Sequence, residues 1–326
     1  MLDTILTIHK YYYGNNARFK YKRNNKIKWV ISNVMSQLCC RILFVLLYVR
    51  RFLKKKSNNK NAIVNENIVV SLTSFPRRIN HVWMVIDSLC RQDMRPYNIC
   101  LTLSLEEFPN GEKDLSSWLL QYKKYGLKIL WTEDNLMPHK KYLMVMRLFK
   151  DKYIITVDDD IYYRKDLISH LWKLSQKFKH CVCGNNVSCI LNKDLSMSPY
   201  NYWNDDDVLV NSPSHNYIVK GCGGVIYPPK VFKNEDAFNK HIIIETCLRA
   251  DDLWLKAQEL INDVKIVKGD FYPTSIELSG SGKSSLRNTN TSVVYNGNDK
   301  QWANLDKVLH INNLLKERVL AEQNTI

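Results

Sequence analysis

Acidic residues are almost absent from the first 66 positions of this 326-residue chain: Asp3 and Glu66 stand against 14 lysines and arginines. Glycine (11) and proline (9) are scarce throughout, and 45% of residues are hydrophobic, which excludes a collagen-like fibre and a disordered chain. No Cys-x-x-Cys pair occurs among the nine cysteines, so a zinc clip has no support. Cys181 and Cys183 are strand-like neighbours that point to opposite faces. An odd number of cysteines without a framework excludes a disulfide miniprotein and predicts buried free thiols in a reducing compartment. There is no internal repeat, no GxGxxG and no phosphate-loop pattern. Gly280-Ser281-Gly282-Lys283-Ser284-Ser285 lacks the preceding glycine at the required spacing and reads as a loop.

The total charge of +15 suggests a nucleic-acid partner until it is located. Residues 1–66 carry +12, and the other 260 residues, with 33 basic and 30 acidic groups, carry only +3. The basicity belongs to an N-terminal extension (1–66), and nucleic acid is not the expected partner. Within it, Trp29–Val49 is mostly apolar and long enough to span a bilayer. Arg41 near its centre argues against a span. A basic amphipathic helix at about residues 29–53, lying on an anionic membrane surface, fits better; a soluble helix packed on the body is the other reading. Lys54–Asn61 reads as a linker.

From Asn67 onward, strand and helix patterns alternate. Ile68–Thr73, Ile99–Leu105, Leu127–Trp131 and Tyr153–Val157 are strand-like; Val82, Val85, Ile86 and Leu89 have helical spacing. This predicts an α/β domain with a mostly parallel central sheet covered on both faces. Ligands bind such sheets at the carboxyl ends of the strands. Asp158-Asp159-Asp160 follows the fourth strand at that position. In extended backbone Asp158 and Asp160 share one side and Asp159 faces the other. Two hard oxygen ligands on one side suit Mg²⁺ or Mn²⁺ bridging a diphosphate; a solvated acidic turn is the alternative. Asp205-Asp206-Asp207 has no strand leading into it and reads as a solvated loop.

Together, several segments resemble bacterial glycosyltransferases with a GT-A fold, of the kind found in capsule and O-antigen gene clusters. They are Val70–Ile79, Ser88-Leu89-x-x-Gln92, Glu107-Phe108-Pro109, Ile155–Tyr163, Gly221–Pro229, Ala250–Leu255 and Asn298–Gln301. The resemblance covers 67–305, divided into a donor half (67–160) and an acceptor half (161–275), with 306–326 as a C-terminal helix. It implies a metal-dependent, inverting hexosyl transfer from a nucleoside-diphosphate sugar to a glycan or lipid-linked acceptor in polysaccharide synthesis, at the cytoplasmic face of the plasma membrane.

The resemblance also implies roles. Asp158 and Asp160 would hold the metal, with Asp159 among the donor-binding residues. Thr73, Ser74 and Phe75 would face base and ribose, and Arg77 or Arg78 a phosphate. Asp134, Lys140 and Lys141 follow the third strand, where lysines can neutralise a diphosphate or merely be solvated. Gly221–Gly224, with Gly223 and Gly224 among the donor-binding residues, would let backbone approach the sugar, or simply form a turn. Asp252, with Asp251 beside it, would act as general base, against the alternative of acids capping a helix. His310 has no supporting motif and reads as structural, and the role of Asp299 stays open. Two other classes compete: a non-catalytic anionic-lipid or nucleic-acid binder, and a nucleotidyltransferase. The near-neutral body opposes the first, and the absence of glycine from Ser71–Ile79 opposes the second.

Overall fold

The computed structural model describes residues 2, 4–9, 11–12, 26–52, 62–270, 276–278 and 297–324. The expected linker Lys54–Asn61 and the loop Gly280–Ser285 lie outside them. Seven strands form the central sheet: β1 (Ile63–Thr73), β2 (Met94–Ser104), β3 (Leu127–Thr132), β4 (Tyr153–Thr156), β6 (Val182–Gly184), β9 (Val225–Tyr227) and β10 (Ile266–Lys268). Their spatial order is β10-β6-β9-β4-β1-β2-β3. Pairing is parallel except that β9 runs against both β4 and β6. Two small pairs flank the sheet, β5 (Ile161–Tyr162) with β11 (Ile276–Glu277), and β7 (Val187–Cys189) with β8 (Tyr217–Val219).

β1 shows why the sheet is central. Ile68, Val70 and Leu72 enter one hydrophobic core and Val69 enters another, and all four are fully buried. Alternate side chains on a strand point to opposite faces, so a continuous apolar run is buried on both. The main described helices are α1 (Lys26–Phe52), α2 (Val82–Cys90), α3 (Lys140–Leu148), α4 (Leu167–Lys177), α5 (Lys240–Thr246), α6 (Asp251–Ile261), α7 (Gly297–Leu309) and α8 (Ile311–Gln323), besides a helical stretch at 4–9 and one turn at Ser117–Leu120. α1 and α2 share the first core; α3 and α6 to α8 supply Tyr142, Trp254, Trp302 and Leu315 to the second.

Two boundaries differ from expectation. The single C-terminal helix 306–326 is a pair, broken where His310 takes a left-handed conformation at φ 52°. Asp306 accepts from the Asn312 backbone and Asn312 accepts from Trp302 Nε1, which fixes the corner. Trp302 and Leu305 are buried in the second core, so the body extends past residue 305 into these helices. At the other end, α1 is joined to the body through Leu43 and Leu47, which lie in the first core with Trp83. Arg51 stacks 3.3 Å over Trp118 and 4.6 Å from Trp83. Leu43→Ala should therefore lower stability by about 2–5 kcal/mol, as for other buried leucines. Urea unfolding would check this; an unchanged midpoint would mean that α1 is a detachable appendage.

All nine cysteines are free, and Cys181 and Cys222 are the two that are not fully buried.

Candidate active site

The carboxyl ends of β1 and β4 meet side by side, because Ser71 pairs with Thr156 in the ladder. Past them the chain leaves the strands, and Asp158–Asp160 lies in a loop and turn. The three aspartates consequently do not alternate as an extended run would. Asp159 and Asp160 turn to one cation and Asp158 to another. Arg78 Nη1 lies 2.7 Å from Asp159 and 2.9 Å from Asp160. Ser74 donates to Asp159 at 2.6 Å. Burial raises the Asp159 pKa, while Arg78 and Ser74 act to lower it. Asp159 thus ties the β1 and β4 ends together from beneath.

Asp158 is the most open of the three, with 32% of its side chain exposed, and its Oδ1 lies 3.1 Å from Lys141 Nζ. Its backbone N–H donates to Tyr163 Oη at 2.9 Å. Lys141 also reaches Asp251 at 2.7 Å, so one ammonium joins carboxylates 93 positions apart. Ser71 Oγ donates to the Lys141 carbonyl and holds the start of α3 against β1. Burial opposes the charge on Lys141, but Asp158, Asp251 and Asp252 outweigh it and hold its pKa well above the ordinary lysine value.

Asp252 stands beside this bridge in the first turn of α6, where its Oδ1 accepts from Gly221 N at 3.2 Å. Burial and then the charge of Asp251 raise its pKa to about 8, although Lys141 draws it down. A carboxylate poised near neutrality matches what a general base needs. Gly221 sits at the centre: a Cβ there would lie 2.9 Å from Lys141 Nζ and 3.2 Å from Asp158 Oδ1. Behind α6, Gln301 accepts from the Arg249 backbone and Asp299 from that of Tyr200, so the Asn298–Gln301 motif braces the approach to Asp251.

Several expected site residues point elsewhere. Thr73 Oγ1 donates to the Thr102 carbonyl at 2.7 Å along the sheet. Asp134 pairs with Lys240 at the surface. Lys140 is held by Glu107 and by Asn135. Gly223 packs on Asn185 and Asn186, and Gly224, at φ +75°, backs onto Leu167. Phe75 lies 5.3 Å from the Arg78 guanidinium, and Arg77 is exposed. His310 is exposed at its corner, and Asp205–Asp207 is an exposed run. Of the expected glycine run, Gly221 is the one that faces the site. Conversely, Ser71 and Tyr163 also help shape the site, and although both stand inside the motifs, nothing in their residue types marks them out.

Residues 80–241 match the family model described as glycosyl transferase family 2. Over that stretch, just under half of the chain, the sequence is similar to glycosyltransferase family 2. The match takes in Lys141, Asp158–Asp160 and Gly221; Ser74, Arg78, Asp251 and Asp252 lie outside it. No curated protein matches the sequence. Solved structures show a distant likeness. Staphylococcus aureus TarS (residues 1–349, in complex with UDP) is 16% identical over 64% of this chain, with a TM-score of 0.42. This chain covers 59% of that chain's length. The mannosyltransferase PcManGT of Pyrobaculum calidifontis, in complex with GDP-Man and Mn²⁺, is 12% identical over 97% of this chain and 81% of its own, with a TM-score of 0.45. The inositol-1-phosphate CTP transferase of T. maritima is 11% identical over 76% of this chain and 99% of its own, with a TM-score of 0.40. The mixed α/β architecture with its mostly parallel sheet is the GT-A fold.

The donor set can be tested against a divalent cation. Among the described residues no group of three or more histidine, cysteine or acidic side chains is gathered to hold an ion. Asp158 and Asp160 nevertheless offer hard oxygens from one short run, and Mg²⁺-type sites use only one or two carboxylates when phosphate supplies further ligands. Together with a diphosphate the pair would suit such a cation, which would compete with Lys141 for Asp158 and with Arg78 for Asp160.

Proposed function

We propose that this protein transfers a sugar from a nucleoside-diphosphate sugar to a glycan or lipid-linked acceptor in surface-polysaccharide synthesis, with inversion at the anomeric carbon. The observation that carries the reading is the Lys141 bridge, which joins the Asp158 run to the Asp251–Asp252 pair. Donor chemistry and acceptor chemistry need to meet within one such cluster.

In this reading Asp158 and Asp160 would hold Mn²⁺ or Mg²⁺, which would offset charge on the departing diphosphate. Lys141 lends a second, fixed positive charge at the same place. Asp252 takes the proton of the acceptor hydroxyl as it attacks the anomeric carbon. The C–O bond to the diphosphate breaks as the new glycosidic bond forms. Ser74 and Arg78 act through Asp159 and Asp160, holding the loop in place.

Incubation with Mn²⁺ and a panel of nucleotide sugars should show slow hydrolysis of one donor, read as release of nucleoside diphosphate. The absence of both hydrolysis and binding across the panel would overturn the proposal.

A further inference from the structure

We infer that the outward face of α1 seats the protein on an anionic lipid bilayer, with the helix lying in the plane of the headgroups. α1 has a buried side and an exposed apolar stripe. The buried side carries Ser32, Ser36, Cys39, Cys40, Leu43 and Leu47, of which the last four lie in the first core. The outward stripe runs through Ile31, Val34, Leu38, Ile42, Val45 and Val49, all exposed, with Val34 at 58% and Val45 at 59%. Ile27 and Phe52 extend it to the ends of the helix. At 3.6 residues per turn, positions spaced by three and four stay on one side. Scattered exposed hydrophobics need no explanation, but a contiguous stripe along a whole helix marks an interaction surface.

Charge selects the partner. Lys28 and Arg41 are exposed on α1, and Arg50 and Arg51 close it. In sequence, Lys20, Lys22 and Arg23 precede the helix, and Lys54, Lys55 and Lys56 follow it. An apolar stripe bounded at both ends by basic clusters complements an anionic bilayer, whose headgroups attract lysine and arginine while its acyl region takes the stripe. A second copy of this chain is a poorer partner, because pairing these faces would bring two +12 segments together.

Geometry excludes a span, although α1 is long and apolar enough to cross a membrane by length and composition. A spanning helix meets lipid or other spanning segments all round, whereas Leu43 and Leu47 are fixed in the core of the body. Arg41 falls midway along the outward stripe, where its long stem can carry the guanidinium up to the headgroups. The seat is rigid: Tyr48 packs on Trp83, and Phe44 lies 5.7 Å from His81, three residues beyond Arg78. The helix that touches lipid is thus docked beside the segment that carries the site arginine.

Flotation of the full chain tests this independently of the glycosyl-transfer reading, since it measures lipid binding and not turnover. The protein should rise with vesicles of phosphatidylcholine and phosphatidylglycerol, and far less with phosphatidylcholine alone. Val34→Glu combined with Val45→Glu should weaken the binding by about tenfold or more, since two buried apolar side chains are lost to water. The urea midpoint should stay at the wild-type value, because both positions are exposed. Failure of the wild type to float would overturn the inference. So would equal binding by the double variant, or a wild-type dimer that the double variant dissociates and that never binds lipid.

Discussion

Asp252→Asn should leave nucleotide-sugar binding intact and reduce transfer by about a hundred- to ten-thousand-fold, the range that a positioned general base contributes. Asparagine keeps the shape of the side chain and an oxygen to accept from Gly221 N, so the turn before β9 is preserved. It cannot accept a proton at neutral pH. The wild-type pH profile carries the same information. A base acts when deprotonated, and the Asp252 pKa is raised to about 8 by burial and by Asp251. Transfer by the wild type should therefore rise with pH towards about 8 and level off above it. Single-turnover transfer and donor titration, each measured on both proteins, separate the two steps. A variant that transfers at the wild-type rate would remove Asp252 from the chemistry and leave it as a first-turn acid that meets the helix dipole.

The pattern-bearing parts of this site were readable in the sequence, and the parts set by turn geometry were not. β1 and β4 announce themselves as apolar runs, and the rule that ligands lie beyond strand ends leads straight to Asp158–Asp160. The rule of alternation then fails, because it holds for extended backbone and the run lies in a turn. Lys140 and Lys141 look equivalent as neighbours in sequence. On a helix they lie about 100° apart, and that separation sends one to Glu107 and the other to Asp158 and Asp251. The two faces of α1 are likewise not separable by hydropathy, which adds them together, whereas the fold buries one face in its own core and leaves the other exposed. The corner at His310 depends on a left-handed residue that carries no glycine signal.

Lys141→Met should destabilise the protein by about 3–5 kcal/mol, the cost of removing one partner from a buried ion pair. Methionine retains most of the aliphatic stem, so the loss reports the ammonium and not a cavity. Without it, Asp158, Asp251 and Asp252 face one another with no cation among them. Lys141 draws the raised Asp252 pKa down, so its loss raises that pKa further, and the variant recovers stability as pH falls and Asp252 takes up a proton. Its deficit against the wild type should be larger at pH 8 than at pH 5. In the wild type the lysine pKa is itself raised, so its contribution is fully present below the ordinary lysine value and does not fade within this window. Urea midpoints at the two pH values would check the sign, and equal deficits would show that the bridge is not electrostatic. A bound cation gives the deciding comparison. If Asp158 and Asp160 accept Mn²⁺, the ion restores positive charge beside the same carboxylates and stabilises the folded state by mass action. Mn²⁺ should then raise the melting temperature of Lys141→Met more than that of the wild type, whose ammonium already competes for Asp158. An equal shift in both proteins would place the ion elsewhere.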